Sequence, residues 1–415
     1  MKTQISFLKG ILIICLSIFL FFFNCSSDVD VKTVEMQPLT DVLTLELSFG
    51  DEKTIEKDEF LLAFPLYHTV ADNGDIIVTD EGCLKVYDND GKPKQIVGRS
   101  GQGPGEFLES PRAYVMENGN ISVSEMNAGR LSIFYPDYSF HETMNFDNNI
   151  LYKNMSEENG WSYMSFERLY AFSSNDILIF TVAFESESIY EKKSYSLLLH
   201  QQDEKINTIV KSLNENIIYL GWAPFSFFEK GMLVYTLLPG RKIAYSETHK
   251  DKVLENGIWY YVIHIYNLDS QERTKIMQQY TPVDIPDNVI HPEYKKGYNL
   301  DRIVARGLNP DGSDSFTRRD RDKIRAKYLE ELEVYPAIRE IFSDKNLLFA
   351  KTYKYVKGKG YVYEIFNIET GSYLRSAYFP FDPVIKNGYA YKRARSEEGF
   401  SIIEKYRIDP AVYGK

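Results

Sequence analysis

The chain has 415 residues, a formal net charge of -11, 44% hydrophobic residues, and aromatics dominated by 31 Tyr and 26 Phe. That supply of flat rings favours pleated sheets, and all-β architectures of this length often form one unit rather than two. The dispersed acidic charge repels phosphate backbones and argues against nucleic acid as a partner.

The first residues are predicted to be an address. Lys2 and Lys9 precede an apolar run from Ile11 to Phe23 broken by Ser17. The run suits a signal-peptide core and is too short for a spanning helix, which needs about 20 residues. Phe22-Phe23-Asn24-Cys25 resembles the lipobox of bacterial lipoproteins, although the family prefers a Leu-like residue at the position of Phe22 and a small one at that of Asn24. The resemblance implies lipid on the Cys25 thiol, residues 1–24 as the signal peptide, 25–40 as a polar tether, and a membrane as partner. An ordinary secretory signal and an uncleaved anchor are the other readings. Cys15 would leave with the signal, so Cys83 remains as a lone thiol, expected to be a buried small hydrophobe.

From residue 41 onward the chain repeats. Asn73-Gly74-Asp75-Ile76-Ile77-Val78 returns 45 residues later as Asn118-Gly119-Asn120-Ile121-Ser122-Val123, and Asp80 is matched by Glu125. Leu84, Val86 and Tyr87 return 47 residues later as Leu131, Ile133 and Phe134. Each unit reads as a strand, a tight turn, a second strand, a loop and a period-two third strand. Later units keep the pattern with other letters: Asn175-Asp176 before Ile177, Lys230-Gly231 before Met232, Lys345-Asn346 before Leu347, and Asn387-Gly388 before Tyr389. Six small sheets with two apolar faces each must cover one another, and a radial arrangement does so without long free edges. The fold expected is therefore an all-β six-bladed β-propeller, monomeric, with alternating Val42–Phe49 completing the last blade.

Between the first two units lies Gly101-Gln102-Gly103-Pro104-Gly105-Glu106-Phe107, followed by Pro111. It lacks the Lys-Ser/Thr of a phosphate loop and reads as a joint. Together with residues 71–140 it resembles the NHL-like repeats of six-bladed propellers, in the class of exported lipoproteins with a GxGPGEF-type connector. That resemblance implies a ligand-binding or protein-interaction module at the cell envelope, anchored to a bacterial, outer, membrane and facing the periplasm or the surface. Propellers of this kind also include lyases and hydrolases with a site at the channel mouth, and an enzyme is the alternative.

One segment, about 301–335, is expected to be a helical insertion between blades four and five, with Ile324, Tyr328 and Leu332 as its apolar stripe and Thr317 with Asp320 as a capping box. Arg318, Arg319 and Arg321 crowd its N-terminal half against the helix dipole, so they need acids or a ligand as company.

No metal or cofactor is expected from the spacing of the histidines, and no catalytic set stands out. The candidate ligand contacts are the cations ahead of the inner turns: His68, Arg112, Arg168 and Arg339. Pointed at one axis they would draw an anion, whereas pairing within the blades is the structural alternative. Trp161, Trp222 and Trp259 are candidates for a sugar platform or for core. The ligand itself is left open between a small molecule, a glycan and a protein.

Overall fold

A computed structural model describes residues 37–415 apart from 126–127, 146–149, 174, 187–191, 204, 215–216, 221–222, 227–230, 295–296, 298, 307–314 and 333. The expected signal peptide, Cys25 and Trp222 lie outside the described residues. The rest is built on six antiparallel sheets of four or five strands, with two small two-stranded sheets beside them.

Blade 1 comprises Tyr67–Val70, Ile76–Asp80, Cys83–Tyr87 and Pro93–Val97. Blade 2 comprises Arg112–Val115, Ile121–Glu125, Arg130–Phe134 and Phe140–Asn145. Longer strands make blade 3: Trp161–Ser173, Asp176–Ser186, Lys192–Gln202 and Lys205–Leu213. Blade 4 has Leu233–Leu238, Lys242–Glu247, Ile258–Asn267 and Arg273–Tyr280, with Lys252–Glu255 added beside the third strand. Blade 5 runs through Ile338–Asp344, Leu347–Val356, Gly360–Asn367 and Tyr373–Phe379. Blade 6 takes Val384–Lys386, Tyr389–Arg395 and Ser401–Ile408 from the end of the chain and its outermost strand, Leu43–Phe49, from the beginning. Leu43 lies opposite Ile408 and Phe49 opposite Ile403, so the two ends of the domain are held in one sheet.

Period-two side chains alternate between the faces of a sheet, so each blade presents apolar residues to both neighbours. Six buried clusters result, one at each blade junction. Leu178 and Leu198 of blade 3 pack on Leu233 and Ile243 of blade 4, while Ile177, Ile179, Leu197 and Leu199 from the same strands pack on Leu131 and Ile133 of blade 2. Further clusters join blades 1 and 2, 4 and 5, and 5 and 6. The ring closes where Phe49, Tyr391 and Ile403 meet Val70, Ile76, Val78 and Tyr87.

The lettered repeat has a physical basis. Asp80 is fully buried and accepts the backbone N–H groups of Ala63 (2.9 Å) and Phe64 (2.7 Å), with Lys85 3.0 Å away. Its counterpart Glu125 accepts those of Leu108 and Glu109, with Arg130 3.5 Å away. Each carboxylate thus ties the segment entering a blade to the end of that blade's second strand. In blade 4 the parsing shifts: Lys230-Gly231 precedes the inner strand, and the inner turn lies at Gly240-Arg241, both at positive φ. Met232–Tyr235, expected as a second strand, therefore belongs to the inner one; a short apolar run after a Gly pair looks alike in both places.

The glycine connector is a folded joint. Phe107, 1% exposed, enters the cluster between blades 1 and 2, and its backbone pairs with Arg99 and Gly101. Glu106 curls back to accept from the Gly103 N–H at 2.9 Å and from Arg99 Nε at 2.7 Å. Gly98 sits at φ +71°, where a Cβ would fall 2.2 Å from the Phe107 ring. Only glycine fits there.

Among the described residues three α-helices decorate this β framework. Helix α1, Ile150–Glu158, follows blade 2 and buries Tyr152 in the junction with blade 3. Helices α2, Asp287–Ile290, and α3, Arg318–Glu330, belong to the insertion between blades 4 and 5. The capping box of Thr317 with Asp320 is present, and Leu329 is the fully buried residue of α3. The helix starts at Arg318, directly after Ser315–Thr317, which pairs as a strand with Ile303–Arg306.

Replacing Phe107 by Ala is expected to lower unfolding free energy by about 3–5 kcal/mol, while Leu108→Ala, at a side chain 46% exposed, should stay within about 0.5 kcal/mol. Chemical denaturation of the two variants checks this; equal losses would contradict the role of Phe107 as the joint.

Candidate functional site

In every blade the inner strand ends in a tight turn, and the third strand ends in another on the same side. The connectors between blades, and the loops between second and third strands, share the opposite side. All the large additions are therefore on one face: residues 146–160, 214–232 and 281–337 each join one blade to the next. Among the described residues the turn face carries turns and, after the last strand of blade 6, the single helical turn Pro410–Tyr413. Such a division puts the adaptable segments around one mouth of the channel.

The mouth on the turn face is the narrower, a cavity of about 320 Å³ lined by residues from all six blades. Its polar groups are used to strap blades together. Asp72 of blade 1 pairs with Lys386 of blade 6 at 2.6 Å. Asp344 of blade 5 accepts the N–H groups of Asn387 (2.7 Å) and Gly388 (2.9 Å) in blade 6, and the Tyr413 hydroxyl at 2.6 Å. Ser343 donates to the Leu237 carbonyl at 2.6 Å, and Glu117 accepts from the Gly240 N–H at 2.7 Å. Those bonds join blade 5 to 4 and blade 2 to 4.

The mouth on the connector face is wider, about 820 Å³. Tyr67 and His68 enter from blade 1, Arg168 from blade 3, Glu340 and Phe342 from blade 5, and Phe381, Asp382, Lys392, Arg393 and Arg395 from blade 6 and its approach. Lys351, fully buried, bonds Asp382 and lies 3.5 Å from Glu340, so two carboxylates share one ammonium. Lys392 pairs with Glu404 at 2.8 Å and lies over the Phe381 ring at 4.6 Å. Arg393 donates to the carbonyls of Pro65 (2.9 Å) and Leu66, and Arg395 to that of Gly399 (3.0 Å).

Arg168 is different. It is solvent-accessible, and among the described residues no carboxylate pairs with it. Its guanidinium lies 5.9 Å from the Tyr235 ring and hydrogen-bonds Tyr170. Tyr114, Tyr170 and Tyr235, from the inner strands of blades 2, 3 and 4, pack as a collar: Tyr114 and Tyr170 centroids are 4.5 Å apart, and Tyr170 and Tyr235 meet edge to face at 6.2 Å. Tyr114 and Tyr170 also line the narrow mouth, so the collar divides the channel with Arg168 on its wide side. Burial, together with the neighbouring phenols, holds the Tyr114 and Tyr235 hydroxyls well above the usual tyrosine range, and they stay neutral.

Of the four cations picked from sequence, the structure brings His68 and Arg168 to the wide mouth. Arg112 occupies the blade 2 position equivalent to Arg168, since each lies opposite the residue twelve later, Ser124 and Phe180. It is stacked instead 4.0 Å over the ring of Tyr67, outside the cavity lining. Arg339 stays with its own blade, 5.9 Å over the Tyr361 ring and 3.4 Å from its hydroxyl. Burial and the charge of Arg393 push the His68 pKa down to about 4, against a hydrogen bond that the ring donates to the Tyr391 backbone, and its Nε2 meets no partner.

On the insertion, Arg319 pairs with Asp301 at 3.1 Å and Arg321 with its neighbour Asp322 at 2.8 Å. The Arg318 N–H donates to the Arg302 carbonyl at 3.0 Å. Acids of the insertion itself, Asp301, Asp320 and Asp322, thus offset the basic first turns. Trp161 is buried between blades 2 and 3, and Trp259 lies in the blade 4 hairpin beside Lys252. Cys83 is buried, with Sγ 3.2 Å from the Asp80 carbonyl and its pKa raised by burial. The basic stretch Lys392-Arg393-Ala394-Arg395, which sequence reasoning passed over, was visible as a strand ending in cations where blades 1 and 2 end in Asp80 and Glu125.

The chain is thus a six-bladed β-propeller with an open, cation-bearing mouth on its decorated face. No family model matches it, and no curated protein does. It is similar to a putative exported protein from Bacteroides fragilis at 13% identity and a TM-score of 0.44, covering 90% of this chain and 98% of that one. A member of the DUF4221 family from Bacteroides vulgatus gives 13% identity and 0.45, covering 88% and 98%. A streptogramin B lyase gives 10% and 0.34, covering 83% and 93%.

A titration of the His68 imidazole, followed by NMR, is expected to show it neutral from pH 8 down to pH 5. Because its folded pKa lies below the unfolded value of about 6.5, its contribution to stability is full above that value and is lost as pH falls toward 4. A midpoint near 6.5 would contradict the described packing.

Proposed function

We propose that the chain is an exported, lipid-anchored NHL-like propeller that binds a ligand at the wide mouth of its channel, at the cell envelope. The observation that carries the reading is the contrast between the mouths. At the narrow one, acidic and hydroxyl side chains join blade to blade; at the wide one, a cavity of about 820 Å³ holds guanidinium groups without a carboxylate partner among the described residues. That volume falls within the roughly 300–1,000 Å³ usual for small-molecule sites, and the aromatic walls with a few convergent polar groups match their composition.

The anchor half of the proposal rests on the N-terminal sequence. A short apolar core after two lysines, followed at once by Cys25, supports export and lipidation, and a tether would leave the propeller free to face its ligand. Leu39 is already pinned on the outer strand of blade 5, its N–H donating to the Ser376 carbonyl at 2.8 Å, so the flexible part would end before it.

Cell fractionation of Cys25→Ala is expected to move the protein from the membrane pellet to the soluble fraction; a variant that still pellets would contradict the anchor. A panel of organic acids and glycans scored by thermal shift, with hits mapped by hydrogen exchange, tests the binding half. Protection should fall on residues 64–68 and 381–383, and protection confined to the turn face would overturn it.

A further inference from the structure

We propose that the ligand of the wide mouth is an organic carboxylate, read by the fork of Arg168 at the deep end of the cavity, with its carbon body against Tyr67, Phe342 and Phe381. The proposal rests on the wide-mouth reading and narrows it by chemistry. The cavity lining carries four cations, Arg168, Lys392, Arg393 and Arg395, against two carboxylates, Glu340 and Asp382. In a chain of net charge -11 this is a local positive field, and such a cleft concentrates anions.

Three of the four cations are already engaged. Lys392 is neutralised by Glu404 at 2.8 Å, and Arg393 and Arg395 spend donors on the carbonyls of Pro65, Leu66 and Gly399. Among the described residues Arg168 alone has only aromatic and phenolic company, with one bond to Tyr170, so the rest of its fork of N–H donors faces the cavity. A guanidinium fork matches a planar carboxylate with two parallel hydrogen bonds.

The acids of the same cavity set the upper limit on ligand charge. Glu340 and Asp382 share the single ammonium of Lys351, which leaves one negative charge in excess on that wall. A phosphate dianion or a polyanion at Arg168 would meet that excess; a single carboxylate meets it least. The remaining walls are rings. Phe342 stacks at 29° on Tyr363, Phe381 packs on Tyr406 at 5.0 Å, and Tyr67 is backed by Arg112, so all three are held in place for the apolar side of a ligand.

Isothermal calorimetry on the purified full chain separates the sources of such a carboxylate, with phenylacetate standing for aromatic acids, glucuronate for acidic sugars, and inorganic phosphate as the anion without a carbon body. At least one carboxylate should bind saturably and more tightly than phosphate. Arg168→Gln should weaken it by at least about tenfold, Arg168→Lys by less, and Arg407→Gln, at an exposed pair with Glu46 outside the cavity lining, should leave it unchanged. Absence of binding by both carboxylates, or equal binding by Arg168→Gln and the parent, overturns the proposal. Phosphate binding that is lost in Arg393→Gln and kept in Arg168→Gln would also overturn it, while leaving the wide mouth as the binding site.

Discussion

Every blade of this protein is apolar on both faces, and neither face can be left to water. A four-stranded blade alone would expose rows of Leu, Ile and Val on each side, so its neighbours are a condition of its existence rather than an embellishment. Six junction clusters meet that condition, and the last of them needs a strand from the other end of the chain. Closure therefore follows from burial, and the channel follows from closure.

Once the ring is closed, the strand directions divide the molecule into two unlike faces. Turns of two to five residues crowd one mouth, where their carboxylates and hydroxyls have no better partners than the backbone of the next blade. Asp344, Glu117 and Ser343 spend their hydrogen-bonding capacity there on holding blades in register. Connectors of any length fit on the other face without disturbing the sheets, and helices α1 and α3 lie within two of them. The wide mouth is left with charge that the scaffold does not consume, and Arg168 is its clearest instance.

Much of the ring was legible in the sequence because turns and alternation are local. Asn73-Gly74, Asn118-Gly119 and Asn387-Gly388 mark inner turns, and Val42–Phe49 shows its strand period without a partner in sight. Blade 4 was misread at Lys230-Gly231 because a glycine before an apolar run has the same local chemistry at a strand's start as at its turn. The site was harder. Arg112 and Arg168 hold equivalent positions, yet one rests on Tyr67 and the other opens to the cavity, a difference decided by what the neighbouring blade presents. Glu340 and Arg168 come from blades 5 and 3, and Lys392 and Arg393 from blade 6, and no spacing along the chain brings them together before the ring is formed. The helix after residue 317 was visible through its cap, whereas the acids that offset its arginines lie in the insertion, at Asp301 and Asp322, rather than on the propeller.

The claim on which the rest stands is that both ends of the domain share blade 6. Native-state hydrogen exchange tests it directly. The amides of Leu43–Phe49 that face Ser401–Ile408 should exchange only with global unfolding, at the same free energy as those of their partner strand. Exchange of Leu43–Phe49 at the rate of a free tail, with Ser401–Ile408 still protected, would contradict the closed ring and the channel built on it.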